Sequence, residues 1–140
     1  IYLDTNIIIY AIENHPKYGS SCKKILEDIE NEKIEVTCSI LVLVEIINIL
    51  NKLNKIIISK KEKELNIKEN INAVLSLPII WIDLSLFIIK QASVYNYNIS
   101  GADYIHIASM EVNSTTTIIS ADTELDKVKA ITRIDPLKYK

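Results

Sequence analysis

The sequence predicts an α/β domain with a mostly parallel central sheet and helices on both faces, and three observations point to it. Short apolar runs of strand type alternate with longer stretches of helical period along the whole chain, the pattern of a parallel sheet covered by helices. Two of those runs, Ile1–Leu3 and Thr116–Ser120, lead into aspartates, Asp4 and Asp122, and in open α/β sheets the carboxyl ends of the strands are where ligands bind. The 140 residues, 49% hydrophobic and 24% charged, suffice for one core and are read as one domain, residues 1–140.

The elements follow in order. Ile1–Leu3 is a buried strand with Asp4 at its carboxyl end, and a helical pattern runs from Ile7 to Ile12. His15-Pro16-Lys17-Tyr18-Gly19 is a turn. Ser20 or Ser21 is expected to cap a helix reaching about Asn31, with Ile25, Leu26 and Ile29 inward. Ile34–Thr37 alternates apolar and polar, a second strand. Ser39 is expected to cap a helix to about Asn54 that is apolar on nearly every side, so burial on more than one face, and a second partner surface, is predicted. Within it Glu45, Asn48 and Lys52 mark a narrow polar stripe. Lys60–Leu77 reads as a further helix, charged at its start and stopped by Pro78. Ile79–Ile82 is a strand, Leu84–Tyr97 a helix, Ser100 to about Val112 another, Thr116–Ser120 a strand, Asp122–Val128 a short helix and Ile131–Ile134 the last strand.

Composition removes several function classes. The chain has two glycines, and neither GxGxxG nor GxxxxGK[ST] occurs, so no loop cradles a nucleotide phosphate. Without CxxC a zinc site is not expected. Cys22 and Cys38 lie in core-like patterns and are expected to be reduced thiols. No apolar run approaches the roughly 18 residues needed to span a bilayer, and a soluble cytoplasmic protein is expected. The sequence begins at Ile1 without Met, so trimming of the natural start is expected. The formal charge of −2 gives no overall basic field. Charge is uneven, however: residues 1–51 hold eight acids and four lysines, residues 52–68 six lysines and two glutamates.

Four carboxylates stand at element ends or in apolar settings: Asp4, Glu45, Asp103 and Asp122. Taken singly, Asp4, Asp103 and Asp122 read equally as helix caps or first-turn acids, and Glu45 as a solvated residue. His106, one turn beyond Asp103, reads as a packed core residue. Taken together, four oxygen ligands without cysteine or histidine suit a hard cation, one or two ions of Mg²⁺ or Mn²⁺.

The set resembles the PIN domain family, in the short form of the VapC-type toxin ribonucleases. Asp4-Thr5-Asn6 after a strand is similar to the first motif, Glu45 in Ser39–Glu45 to the second, Ser100–Ser109 with Asp103 to the third, and Ile119–Asp126 with Asp122 to the fourth. The one departure is Leu125, where an aromatic is common. The resemblance implies a three-layer PIN-like sandwich and a metal-dependent endoribonuclease. Asp4, Glu45, Asp103 and Asp122 would be its catalytic and metal-binding residues, and Thr5, Asn6 and Ser120 would orient carboxylates or waters. Asp126 is an auxiliary acid or a surface residue, the surface being favoured. It further implies an RNA substrate, a small antitoxin partner and a homodimer or larger assembly. Because acids crowd such a site, lysines must hold the RNA backbone, and Lys52, Lys55, Lys60 and Lys61 are the candidates. Three alternatives stand beside the toxin: a housekeeping PIN nuclease in RNA processing, a noncatalytic adaptor, and a Mg²⁺-dependent phosphatase or phosphotransferase of haloacid-dehalogenase type. The last would normally carry a second aspartate where this chain has Asn6.

Overall fold

The computed structural model describes residues 1–140. The order is β1 (Tyr2–Leu3), α1 (Thr5–Ile12), α2 (Gly19–Glu30), β2 (Val36–Ser39), α3 (Leu41–Ser59), α4 (Ile67–Ser76), β3 (Ile79–Ile82), α5 (Leu86–Ser93), α6 (Gly101–Val112), β4 (Thr117–Ile119), a 3₁₀ turn (Thr123–Lys127), β5 (Thr132–Ile134) and a last 3₁₀ turn (Pro136–Lys138). The five strands are all parallel, in the order β3-β2-β1-β4-β5. Side chains alternate across the sheet. Leu3 and Ile119 face a core of 16 buried residues shared with α1, α2, α3 and α4. Their neighbours Tyr2 and Ile118 face a second core of 10, closed by α5 and α6. The result is the expected three-layer α/β sandwich. Cys22 and Cys38 are free thiols within the first core.

Several elements differ from the sequence expectation, among them β2, expected over Ile34–Thr37 and found at Val36–Ser39. The helix expected over Lys60–Leu77 begins only at Ile67, while α3 runs on to Ser59. Residues 60–65 have good helix formers but no apolar face to bury. Lys61 takes the left-handed conformation (φ 57°) that stops α3. Asn66 then starts α4, its side chain accepting from Glu69 N–H at 3.0 Å, and Asn54 ties both backbone groups of Leu65. The helix expected over Leu84–Tyr97 shrinks to α5 because Ser85 caps it at Ile88 N–H. At α2 neither Ser20 nor Ser21 caps: Tyr18 precedes the helix without a side-chain bond, and the helix starts at Gly19. A Cβ on Gly19 would lie 3.0 Å from the Asn14 backbone, so the close approach of the α1–α2 turn requires glycine there. At α3 the cap position is Ile40, yet Ser39 Oγ still accepts from Leu41 N–H at 3.1 Å.

The scarcity of glycine leaves a trace. Asn14, Glu32, Lys61 and Ser114 all have φ near +55° (53°, 55°, 57° and 54°), and each lies two residues past the end of α1, α2, α3 or α6. This is the left-handed helix-ending position that glycine usually fills.

Candidate active site

The chain builds β1, β2 and β3 outward in one direction, then returns to lay β4 and β5 on the other side of β1. Such a reversal opens a crevice at the carboxyl ends of the two strands it separates, here β1 and β4. Register places Leu3 beside Ile119, so the next residues, Asp4 and Ser120, meet. Asp4 N–H donates to Ile119 O at 3.1 Å, and Ser120 Oγ donates to Asp4 Oδ2 at 2.6 Å. Asp4 also begins α1, its Oδ1 accepting from Thr5 N–H at 2.7 Å. Asn6 straddles the crevice: its Nδ2 donates to Asp4 Oδ2 (3.2 Å) and to Ser120 Oγ (3.1 Å), and its Oδ1 accepts from Ala121 N–H (3.2 Å). Asp122 N–H donates to the same Ser120 Oγ at 3.0 Å, and Asp122 Oδ1 accepts from Glu124 N–H at 2.9 Å. Asn6 and Ser120 thus hold the Asp4 carboxylate, and Ser120 also holds the backbone of Asp122. Thr5 Oγ1 donates to Glu45 Oε1 at 2.8 Å.

Glu45 reaches the site from α3 and has a second partner. His106 Nε2 lies 2.5 Å from Glu45 Oε1, Tyr2 Oη lies 2.5 Å from His106 Nδ1, and Ser39 N–H donates to Tyr2 Oη at 3.0 Å. In the neutral imidazole Nε2 donates to Glu45 and Nδ1 accepts the phenol proton, while Ser39 N–H donates to the phenol oxygen. Burial opposes ionisation of Glu45, but the bonds from His106 and Thr5 outweigh it and hold the carboxyl below its usual range. His106 is pushed down by burial, and Glu45, Asp4 and Asp103 together override that and raise it. His106 is a packed core residue, as its spacing suggested, and one that positions an acid of the site.

Asp103 lies in the first turn of α6, where Ser100 caps the helix and Ser100 Oγ donates to Asp103 Oδ2 at 2.9 Å. Its carboxyl is raised by burial and then by Asp4 and Asp122, which outweigh Ser100. Asp4 is 7% exposed, and burial raises its carboxyl despite His106, Ser120 and Thr5. All four acids line one cavity of about 400 Å³ together with Thr5, Asn6, Ile9, Tyr10, Glu13, Ile49 and Leu53. No lysine or arginine lines it. As the side chains stand, no three acid, histidine or cysteine groups close around a single point as a ligand cage. The donor chemistry nonetheless fits a divalent cation: oxygen ligands only, and two carboxyls, Asp4 and Asp103, that burial and neighbouring acids hold above their usual range.

Two expectations, the polar stripe of Glu45 and the lysines, meet a different geometry, and Asp126 takes the surface place favoured for it. Glu45 shares its cavity-facing side with Ile49 and Leu53, not with Asn48 and Lys52, which are exposed. Asp126 does not line the cavity; Arg133 holds it with a fork, Nε to Oδ1 at 2.9 Å and Nη2 to Oδ2 at 3.1 Å, while Arg133 Nη1 donates to Ser120 O at 2.8 Å. Lys52, Lys60 and Lys61 are exposed, and Lys55 lines a different cavity with Lys63, Asn51 and Asn54. None of the four lysines lines the acid cavity. Glu13 and Tyr10, which do line it, were not singled out by sequence. Their only local signal is helical spacing from Asn6, Tyr10 at i+4 and Glu13 at i+7.

The family model of the PIN domain matches residues 1–131. The chain belongs to the PIN domain family. Members of this family are nucleases that generally use divalent metal ions, and the site of this PIN domain has the oxygen donors for that chemistry. No curated protein matches the chain. Three solved structures share the fold of this PIN domain. A toxin–antitoxin complex from Klebsiella pneumoniae superposes with a TM-score of 0.67 at 15% identity over 96% of each chain. VapBC2 from Rickettsia felis, bound to a DNA fragment from its promoter, gives 0.63 at 20% identity, covering 95% of this chain and 96% of that one. FitAcB from Neisseria gonorrhoeae gives 0.58 at 18% over 99% of each.

Proposed function

We propose that this PIN domain is a Mg²⁺- or Mn²⁺-dependent endoribonuclease and the toxin of a toxin–antitoxin pair. The observation that carries the proposal is the convergence of Asp4, Glu45, Asp103 and Asp122, from four separate elements, on one cavity at the switch point of the sheet. These four carboxylates would hold one or two ions. A bound divalent ion supplies Lewis acidity, which ionises water near neutral pH and offsets charge on the leaving oxygen. The chain's own groups do the rest. Ser120 and Asn6 fix the Asp4 carboxylate, Thr5 and His106 fix Glu45 in its ionised form, and Ser100 orients Asp103. Ile9, Ile49 and Leu53 contribute apolar side chains to the cavity lining. RNA is the proposed substrate. An antitoxin peptide and a second copy of this chain are the proposed partners, in line with the toxin–antitoxin complex of the same fold. A housekeeping role in RNA processing uses the same site; the adjacent gene distinguishes it, because an antitoxin partner would neutralise the nuclease on co-expression. The phosphatase alternative loses its footing with PIN membership, and Asn6 has an orienting role where that reading needs an acid.

The test is cleavage of structured RNA with Mg²⁺, with Mn²⁺ and in excess EDTA, with end-group mapping of the products. Activity only with added metal, leaving 5′-phosphate and 3′-hydroxyl ends, is expected. Full activity in EDTA would refute the metal mechanism. Cyclic 2′,3′-phosphate ends would assign the attack to the ribose hydroxyl instead of water.

A further inference from the structure

The α1–α2 turn carries an aromatic cluster that the acid site does not use. Tyr10 and Tyr18 are stacked, with ring centroids 5.2 Å apart and planes 11° from parallel. His15 leans against both, at 4.4 Å from Tyr10 and 5.2 Å from Tyr18. Its orientation is fixed: Nδ1 accepts from the backbone N–H groups of Lys17 (3.1 Å) and Tyr18 (3.2 Å), so Nε2 carries the ring proton and is free to donate outward. Lys17 Nζ lies 5.1 Å from the Tyr18 ring centre. All three rings are half-buried and Lys17 is exposed, so the cluster is a surface and not a plug. It is also continuous with the candidate active site, since Tyr10 and Glu13 line the acid cavity. With no lysine or arginine in that cavity, a polyanion entering it needs purchase that does not depend on charge. Aromatic faces provide it for nucleic acids, because every base has a π-face to stack.

We propose that the α1–α2 turn is a base-stacking subsite for single-stranded RNA, with Tyr10 and Tyr18 taking a nucleobase next to the scissile phosphate, His15 donating to its edge and Lys17 meeting the following phosphate. The subsite rests on the ribonuclease reading and deepens it by specifying an unpaired, splayed-out strand as the substrate form. The test uses a single-stranded RNA oligonucleotide carrying 2-aminopurine, whose fluorescence falls on stacking. It is bound with Mg²⁺ present to Asp103→Asn chains, so that the readout does not depend on turnover. Tyr10→Leu and Tyr18→Leu should each weaken binding about five- to hundredfold and remove the quenching, while Tyr10→Phe keeps both. In chains with Asp103 intact, Tyr10→Leu should raise KM with little change in kcat. Lys17→Met, at an exposed side chain outside the core, should weaken binding and flatten its salt dependence. Loss of quenching in the leucine variants supports the subsite whether or not the unmutated chain cleaves RNA. Unchanged affinity and quenching in Tyr18→Leu and Lys17→Met would overturn it even if cleavage is confirmed, and would leave the aromatic face to a protein partner.

Discussion

Replacing Asp103 and Asp4 in turn by asparagine tests whether the cavity is built around a cation, and the structure predicts opposite effects on stability. Asp103 accepts one side-chain bond, from Ser100 Oγ. An asparagine keeps an oxygen for that bond, escapes the burial penalty on the charged form and the repulsion with Asp4 and Asp122, about 1 kcal/mol per pair at a dielectric between those of water and the interior, and gives up a weaker attraction to His106. Asp4 accepts three: from Thr5 N–H at Oδ1, and from Ser120 Oγ and Asn6 Nδ2 at Oδ2. An amide has only one oxygen to offer, so its NH₂ must face a buried donor, at a cost of about 1–3 kcal/mol. Charge counting alone would have Asp4→Asn stabilise the metal-free chain; hydrogen-bond counting reverses the sign. In EDTA, Asp103→Asn should therefore melt about 4–8 °C above wild type and Asp4→Asn several degrees below it. Wild type should gain stability in about 10 mM Mg²⁺ by mass action, both variants should gain much less, and both should lose cleavage. The assay is a pair of melting curves for each chain, with and without Mg²⁺, beside a cleavage assay. An Asp103→Asn chain that melts with wild type in EDTA and shows the wild-type Mg²⁺ shift would refute the reasoning.

Four further outcomes are expected. Tyr2→Phe should lower stability by about 1–3 kcal/mol in urea unfolding, because it orphans Ser39 N–H and His106 Nδ1 in a buried setting; a loss under about 0.5 kcal/mol would mean the chain to Glu45 is not formed. Asp4 and Asp103 have raised carboxyls, so their contribution to metal-free stability is present below the unfolded value of about 4 and is lost as pH rises through the higher folded values. The Mg²⁺-induced melting shift should correspondingly grow as pH rises through that range, and a flat profile from acid to neutral pH would count against these two as ligands. Glu32→Gly should stabilise by about 0.5–1 kcal/mol by relieving the left-handed strain at the end of α2, read from the denaturation midpoint. Self-association should depend on α5, where Leu86 (81% exposed), Phe87 (64%) and, just past its end, Val94 (71%) are bare; sedimentation of Leu86→Glu/Phe87→Glu should show a shift toward monomer, and an unchanged profile would move the interface to Val44 and Ile47 of α3.

What was legible in the sequence was what is local. A short apolar strand ending in an acid announces itself, and so Asp4 and Asp122 could be placed at one edge of the sheet before any packing was known. The cap of α6 was legible for the same reason: Ser100 and Asp103 are three residues apart and bond to each other. Choices between helix faces were not. Around Glu45 the polar neighbours Asn48 and Lys52 looked like the functional stripe, yet packing of α3 against α1 turns Ile49 and Leu53 to the cavity. The apolar excess of α3 is divided: part of it covers the sheet and α1, while Val44, Ile47, Ile56 and Ile58 stay exposed, and the barest apolar side chains of a helix, Leu86 and Phe87, lie on α5. Residues 60–65 misled because lysine and glutamate have good helix propensity. Propensity without a face to bury does not hold a helix against the competing caps of Asn54 and Asn66.

The least legible feature is the one that joins the layers. Glu45 comes from α3 on one face of the sheet, and His106 from α6 on the other. They meet directly, and Tyr2, at the centre of the sheet, backs the contact with its hydroxyl between the end of β2 and the imidazole. Asp103 sits one turn before His106 on the same helix, so the contact that fixes Glu45 also fixes the approach of α6, and with it Asp103, to the strand-end pair. The four acids are therefore not equivalent. Glu45 is held ionised by donors inside the protein, whereas Asp4 and Asp103 are left reluctant to ionise by burial and by their neighbours. A site meant only to be stable would have paired those two with a lysine, and the chain has sixteen basic residues to choose from. None is placed there, and the proposed divalent ion would supply that countercharge.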